Sequence, residues 1–382
     1  MTSLDTVDIR VVGLGVQYPE NRISPDDLDD LIDRHYPDSK TLKKLSIINR
    51  STKINSRPAI LQTADEILNR KSPPSIAELD KVFLSEGVKL SVTACQQALK
   101  NWGGDAVEIT HMVSVTCTNT ANPGYDHYVA EELGLSHYVE RTLLHGVGCS
   151  GGILAMRTAC TQALAATAVG RKARVLVLAC ELCSLFGRSE LESAYQERKT
   201  SVGVCLFSDC ASACIISNGI GEGEKGRRFH SAERQSTLRV RGWHGESIKH
   251  SSEDLGFHAD PCGWKFVLSP RVPGIAAKAI RPAYQSLVAA IPSIHTLAGG
   301  LPSTKDFNWA VHPGGSSILA GVQDALDLRV QDMAASWHVY LENGNSSSAT
   351  ILSVLNQLWQ KSSQDSPLST EPECKARVVM AP

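Results

Sequence analysis

The sequence predicts an α/β protein made of two layered halves. Three observations support this. Continuous apolar runs of strand length occur, such as RVLVLAC at 174–180. Ala- and Leu-rich stretches with helical spacing lie between them, such as ILAMRTACTQALAATA. The same alternation recurs on both sides of a polar, Gly-rich segment at 221–228, which places the halves at 1–224 and 225–382. With 382 residues, 42% of them hydrophobic and 20% charged, the chain can bury a large core.

Taken in order, residues 7–16 form a strand ending in a turn. Gly13-Leu14-Gly15 within it resembles a dinucleotide loop, but Tyr18 stands where a third glycine is needed, so the signal is weak. Ser24 and Pro25 start a helix over 24–35, with acids in its first turn. A second helix covers 76–99. ITHMVSVTC at 109–117 is β-branched and apolar, a buried strand, and 125–134 is helical. After a turn at 146–152 come the Ala-rich helix and the strand at 174–180. SVGVCLF and ASACIIS read as two strands around a turn at Ser208 and Asp209. In the second half, VPGIAAKAIRPAYQSL is a helix, FNWAV (307–311) a strand, SSILAGVQDAL a helix, WHVYL (337–341) a strand and SSATILSVLNQLW a helix. A polar loop at 361–374 leads to a short strand, ARVVM.

Composition excludes several functions. Lys plus Arg is 38 against 40 Asp plus Glu, a net charge of −2, which is unlike a non-specific nucleic-acid binder. No run of 18 apolar residues is present to span a membrane, and the N-terminus lacks the features of a secretory signal. Eleven cysteines, an odd number in a large chain, indicate reduced thiols and a cytoplasmic protein rather than a disulfide scaffold. Most of these thiols lie in apolar runs and read as packing.

One cysteine differs. Cys149 lies in HGVGCSGGILAMR, collared by glycines just ahead of a helix. His312 lies in WAVHPGGSSILAGV and Asn345 in VYLENGNSSSATIL, each at a strand-to-helix junction rich in Gly and Ser. Such a junction offers free N–H groups and positive partial charge, which favour a thiolate and a developing anion. Cys, His and Asn together form a reaction unit. A thiolate attacks an acyl carbonyl, an imidazole pairs with the thiolate and donates a hydrogen bond, and an amide donates to an oxyanion without titrating. Each residue alone also has a plainer explanation as buried thiol, turn residue or helix cap, so it is the combination that points to catalysis. The Cys180-x-x-Cys183 pair has no second pair to complete a zinc site, an elbow hydrolase needs a glycine where Val147 stands, and the papain-type signature is absent around Cys149.

GVGCSGG, LFSDCASA, KFVLSPRVPG, VHPGGSSIL and LENGNSSSA occur in the order and spacing of type III polyketide synthases, the chalcone synthase-like branch of the thiolase superfamily. The chain resembles that family from about residue 7 to its end, and the Ser after Cys149 makes it more similar to fungal members, including csypyrone-type and alkylresorcylic acid or alkylpyrone synthases. The resemblance implies a thiolase fold with an αβαβα core, a homodimer, no metal and no cofactor beyond coenzyme A thioesters as substrates. It implies Cys149 as nucleophile and acyl carrier, with His312 and Asn345 holding the malonyl thioester carbonyl. It implies Phe207 and Phe266 as gatekeepers between the coenzyme A tunnel and the cavity, and Thr118, Cys183, Phe186 and Ser347 as cavity residues. Lys43 and Arg50, with Lys44 and Lys53 nearby, stand where the family binds coenzyme A phosphates, although a family arginine is replaced by Ser46. Gly314 and Gly315 would admit the pantetheine arm. The family's closing Gly-Phe-Gly-Pro-Gly-like loop and last strand do not follow RVVMAP, as in a truncated form or a chain lacking that strand.

The expected activity is loading of an acyl group, fatty by the fungal resemblance, from coenzyme A, followed by decarboxylation of malonyl-CoA, iterative condensation and cyclisation to alkylpyrone or resorcinol-type products. Coupling of two β-ketoacyl units to an acylated pyrone belongs to the same expectation. The alternatives are a ketoacyl synthase III-like enzyme that condenses once, a non-catalytic thiolase-fold binding protein and a cysteine hydrolase.

Overall fold

The computed structural model describes residues 2–221, 237–260, 263–298, 300–364 and 377–382. The expected loops at 221–228 and 361–374 therefore lie mostly outside the described residues, as do Cys262 and Cys374, and residues 361–364 extend the preceding helix instead of opening the second loop.

The first half opens with strand β1 (Arg10–Gln17), helix α1 (Pro25–His35) and helix α2 (Lys40–Ser51). Ser24 caps α1 as expected, in a reciprocal box with Asp27. The helix expected over 76–99 is interrupted. A short helix and a π-turn at Phe83–Gly87 precede α3 (Val88–Trp102). Then come β2 (His111–Val115), α4 (Tyr125–Glu132), β3 (Glu140–Leu144), α5 (Gly151–Ala168), β4 (Arg174–Leu182), α6 (Gly187–Glu197), β5 (Asp209–Ser217) and, from beyond residue 224, the short β6 (Leu238–Arg239). One six-stranded sheet results, in the order β3-β2-β4-β5-β1-β6. β2 runs parallel to β3 and β4, and β5 is antiparallel to β4 and β1.

The second half contains the hairpin β7 (Leu255–Asp260) and β8 (Gly263–Leu268), helix α7 (Val272–Ala289), β9 (Asn308–Val311), α8 (Ser316–Leu326), α9 (Ala334–Asn343), α10 (Thr350–Gln364) and β10 (Val378–Ala381). β10 pairs in parallel with β9, and Ala381 accepts from the His312 backbone N–H at 2.9 Å.

The hydrophobic clusters reveal the layers. α3 and α4 cover one face of the large sheet through residues such as Ala94, Ala98, Tyr125 and Val129. α5 and α10 fill the centre, joining that sheet to Ala310 of β9. α7, α8 and α9 cover the far side of β9 and β10 through Tyr284, Leu319 and Tyr340. The stack is αβαβα, as expected. The Gly13-Leu14-Gly15 pattern serves packing. A Cβ at Gly13 or Gly15 would sit 2.2 or 2.1 Å from carbonyl oxygens of α3, so these glycines let a helix backbone lie directly on β1.

Two expected strands are not strands. SVGVCLF holds a short helix, Gly203–Leu206, because the buried Glu190 carboxylate on α6 accepts the Gly203 N–H at 3.0 Å at its start. WHVYL lies inside α9, where Ala335, Ser336, Val339, Tyr340 and Asn343 are buried at helical spacing.

Candidate active site

Cys149 sits in a single 3₁₀ turn, Gly148–Ser150, that runs straight into α5. Gly146 and Gly148 adopt positive φ of 71° and 49°, a region glycine enters freely. The two glycines after Cys149 have a different task. A Cβ on Gly151 would be 3.0 Å from the Ser348 Cβ, and one on Gly152 would be 2.4 Å from the Ser348 carbonyl oxygen. Their absence of side chains lets the nucleophile turn press against the 345–349 turn of the second half.

That turn carries Asn345, which follows α9 and a Gly344 of positive φ, so its setting is helix-turn-helix rather than the strand-to-helix junction expected. Asn345 N–H donates to Leu206 O and its carbonyl accepts from Ser208 N–H, both at 2.9 Å, which ties it to the Phe207 segment. Its side-chain oxygen accepts the Ser347 N–H at 2.8 Å. The amide NH2 is thereby turned outward as a donor, and both it and the Ser347 hydroxyl favour the Cys149 thiolate. Ser347 holds a positive φ of 47°, unusual for a residue with a side chain. Burial nevertheless dominates and pushes the Cys149 thiol up to about 11.

Behind this wall lies Glu181, fully buried near the end of β4. It accepts from Thr116 Oγ1 (3.2 Å), Thr118 Oγ1 (3.0 Å), the Cys117 N–H (3.0 Å), Cys117 Sγ (3.3 Å) and the Ser348 hydroxyl. Its burial raises its pKa against these bonds. Of the expected cavity residues, Thr118 bonds Glu181 and Ser347 reaches it through Cys117, while burial pushes the Cys183 thiol well up. Phe186 is buried and packs edge-on against Phe257, centroids 5.5 Å apart.

His312 ends β9 and is 5% exposed, yet neither ring nitrogen has a hydrogen-bond partner among the described residues. Burial lowers its pKa to about 4. Burial thus disfavours the charged form of both the Cys149 thiol and the His312 imidazole, and no hydrogen bond joins the two among the described residues.

Phe207 and Phe266 meet edge-to-face, centroids 4.7 Å apart, joining the first half to the β7–β8 hairpin. Phe207 also lines, with Cys183, Ser184, Arg57 and Glu190, a small cavity of about 50 Å³. Lys43 is exposed on α2. Arg50 at the end of α2 is bound to Asp26 (2.8 Å) and Asp29 (2.5 Å) of α1. Gly314 is close to His312 and Ile318, whereas a Cβ at Gly315 would meet nothing within 4 Å.

Sequence reasoning missed Glu181, Cys117 and Glu190. Glu181 had a signal: a lone carboxylate inside an otherwise apolar buried strand.

A thiol at a helix start, an amide donor beside it and a buried imidazole with open nitrogens, set in an αβαβα stack, are the parts of an acyl-transferring enzyme of the thiolase kind. The comparisons with known proteins agree. Residues 8–220 match the chalcone and stilbene synthases, N-terminal domain, and residues 247–380 match the C-terminal domain. The chain is 37% identical to the acylalkylpyrone synthase csyB of Aspergillus oryzae over 356 residues, covering 92% of this chain and 86% of the relative. Its structure is similar to a type III pentaketide synthase from Neurospora crassa, with TM-score 0.86, 45% identity and coverage of 97% and 95% of the two chains. It is also similar to CsyB complexed with CoA-SH, with TM-score 0.88, 33% identity and coverage of 98% and 96%. The chain belongs to the chalcone and stilbene synthase family and is a type III polyketide synthase, an acyltransferase of thiolase fold. A single-condensation ketoacyl synthase is not favoured. Among the described residues, no helix is long and apolar enough to cross a membrane.

Proposed function

We propose that this enzyme loads a fatty acyl group from coenzyme A onto Cys149, extends it with malonyl-CoA and cyclises the product to alkylpyrone or resorcinol-type compounds. Coupling of two β-ketoacyl units to an acylated pyrone fits the same site, and csyB is named for an acylalkylpyrone. The observation that carries this reading is the pairing of Cys149 with the Asn345 and Ser347 donors while the buried His312 nitrogens stay open.

The neutral thiol gives its proton to His312 as its sulfur attacks the thioester carbonyl, and the departing coenzyme A thiolate takes that proton away. Malonyl-CoA then binds with its thioester carbonyl at the Asn345 amide and the His312 N–H. As CO2 leaves, the enolate oxygen gains charge beside both donors, an interaction strongest in the transition state. The enolate carbon attacks the acyl group on Cys149. Phe207 and Phe266 close this space from the coenzyme A entrance and keep water from the carboxylate.

Lys43, with Lys44 beside it near the start of α2 and Lys53 just past its end, attracts the coenzyme A phosphates. Arg50 contributes less, because two aspartates hold its charge. Gly315 leaves room for pantetheine. The halves 1–224 and 225–382 supply the nucleophile and the donors respectively, two chains form a homodimer, and the enzyme works in the cytoplasm without metal or added cofactor.

Mass spectrometry of products from a panel of acyl-CoA starters with malonyl-CoA tests this. Cyclised products after several extensions, with CO2 release, are expected. A single β-ketoacyl product, or free acid without CO2, would overturn it.

A further inference from the structure

One helix touches the segments of both gate phenylalanines. Phe207 follows the short helix Gly203–Leu206, and Phe266 lies in β8. Glu197, the last residue of α6, pairs with Lys265, the neighbour of Phe266. Phe186, directly ahead of α6, packs on Phe257, which stands opposite Phe266 in the β7–β8 hairpin. The tie from α6 to the hairpin is thus a partly exposed ion pair and a ring contact.

The tie from α6 to Phe207 is buried. Glu190 is 7% exposed and accepts the Gly203 N–H at 3.0 Å and the Ser201 hydroxyl. A Cβ on Gly203 would be 2.5 Å from one of its carboxylate oxygens and 2.6 Å from the other, so no side chain fits between them. The Gly203 carbonyl accepts the Phe207 N–H at 2.8 Å. Beyond Phe207 the chain is held by Asn345, through Leu206 O and the Ser208 N–H. The ring therefore stands between a buried carboxylate and the Asn345 turn. Glu190, Gly203 and Phe207 also line the same small cavity. Burying a carboxylate is costly, and this one is kept where its acceptor oxygen fixes the start of the Phe207 segment.

We propose that Glu190 is a positioning residue for the gate: by holding the Gly203 N–H it sets where the Phe207 ring stands, and so whether the malonyl-derived enolate meets the acyl chain or water. This rests on the reading of Phe207 and Phe266 as the gate. With the ring in place, the electron pair left when CO2 departs forms a carbon–carbon bond to the acyl group. With the ring displaced, the same pair takes a proton from water and acetyl-CoA leaves, while the hydroxide joins CO2 as bicarbonate. Decarboxylation then continues without condensation.

The test supplies octanoyl-CoA with radiolabelled malonyl-CoA and reads acetyl-CoA formed per polyketide formed. Both products come from the same folded enzyme, so the ratio does not move when a variant merely folds less. Glu190→Leu fills the space without an acceptor and should raise the ratio about two- to tenfold, the range of one lost hydrogen bond. Glu190→Gln keeps an acceptor oxygen and should stay at the wild-type ratio. Phe207→Ala should raise the ratio as well, and adding Glu190→Leu to it should raise it no further, because the ring that Glu190 positions is gone. An unchanged ratio in Glu190→Leu beside a raised one in Phe207→Ala would overturn the role of Glu190 and leave the gate standing. A further rise in the double variant, or Glu190→Gln behaving like Glu190→Leu, would overturn that role too. An unchanged ratio in Phe207→Ala would overturn the gate and the role of Glu190 with it.

Discussion

The two walls of the site are built on opposite terms. On the Cys149 side the buried polar groups are tied to one another: Glu181 accepts from four neighbouring residues, Asn345 is oriented by Ser347, and the Ser347 hydroxyl meets Cys117. On the His312 side the imidazole is buried with both nitrogens free among the described residues. An unsatisfied buried polar group costs on the order of 1–3 kcal/mol, so a fold keeps one where substrate will satisfy it. The saturated wall holds a geometry, and the open one receives a carbonyl and a proton.

The comparison breaks most sharply at His312. His312→Ala should lower malonyl-CoA decarboxylation by about 10²–10³-fold, the usual loss of one oxyanion donor, while leaving the thermal midpoint near or above wild type, since an unpartnered buried group is removed. His312→Gln, which keeps a donor, should lose less. Radiometric CO2 release and thermal melts measure both. A large drop in stability without loss of decarboxylation would reverse the assignment of the open wall.

The saturated wall should respond in the other way. Gly152→Ala places a Cβ 2.4 Å from the Ser348 carbonyl oxygen. Overpacking costs about 1–3 kcal/mol, against a helix-propensity gain of about 1 kcal/mol. A lower melting temperature and slower acyl loading are expected together, because the 345–349 turn must shift away from Cys149.

A smaller effect concerns the cap behind Phe207. Burial raises Glu190 from 4.5 to about 7. The folded state thus keeps a proton that the unfolded chain releases, and stability falls as pH rises from about 4.5 to about 7. Glu190→Gln should flatten that part of the pH profile of thermal unfolding. An unchanged slope would show that Glu190 is not the group that titrates.

The same contrast explains what could be read from sequence. The layered βα alternation was legible because buried strands such as β4 are continuous apolar runs and α8 has uninterrupted helical spacing. Cys149 and His312 stood out through their glycine-rich settings. WHVYL misled because Trp337, Val339 and Tyr340 favour strands and conceal a helical burial pattern that needs the window from Ala335 to Asn343 to appear. SVGVCLF misled because its helix is started by Glu190, in a different element. Glu181 draws its partners from 63 to 65 and 167 positions away in the chain, a distance over which no local pattern runs. The effect of burial on Cys149 and His312, upward for the thiol and downward for the imidazole, was also hidden, since it follows from the packing around them rather than from residue type.

The central claim is that Cys149 carries the acyl chain. Intact-protein mass spectrometry after addition of a fatty acyl-CoA tests it most directly. The wild-type chain should gain the mass of acyl groups, and Cys149→Ala should gain none. An acyl adduct of unchanged size and rate on Cys149→Ala would contradict the account.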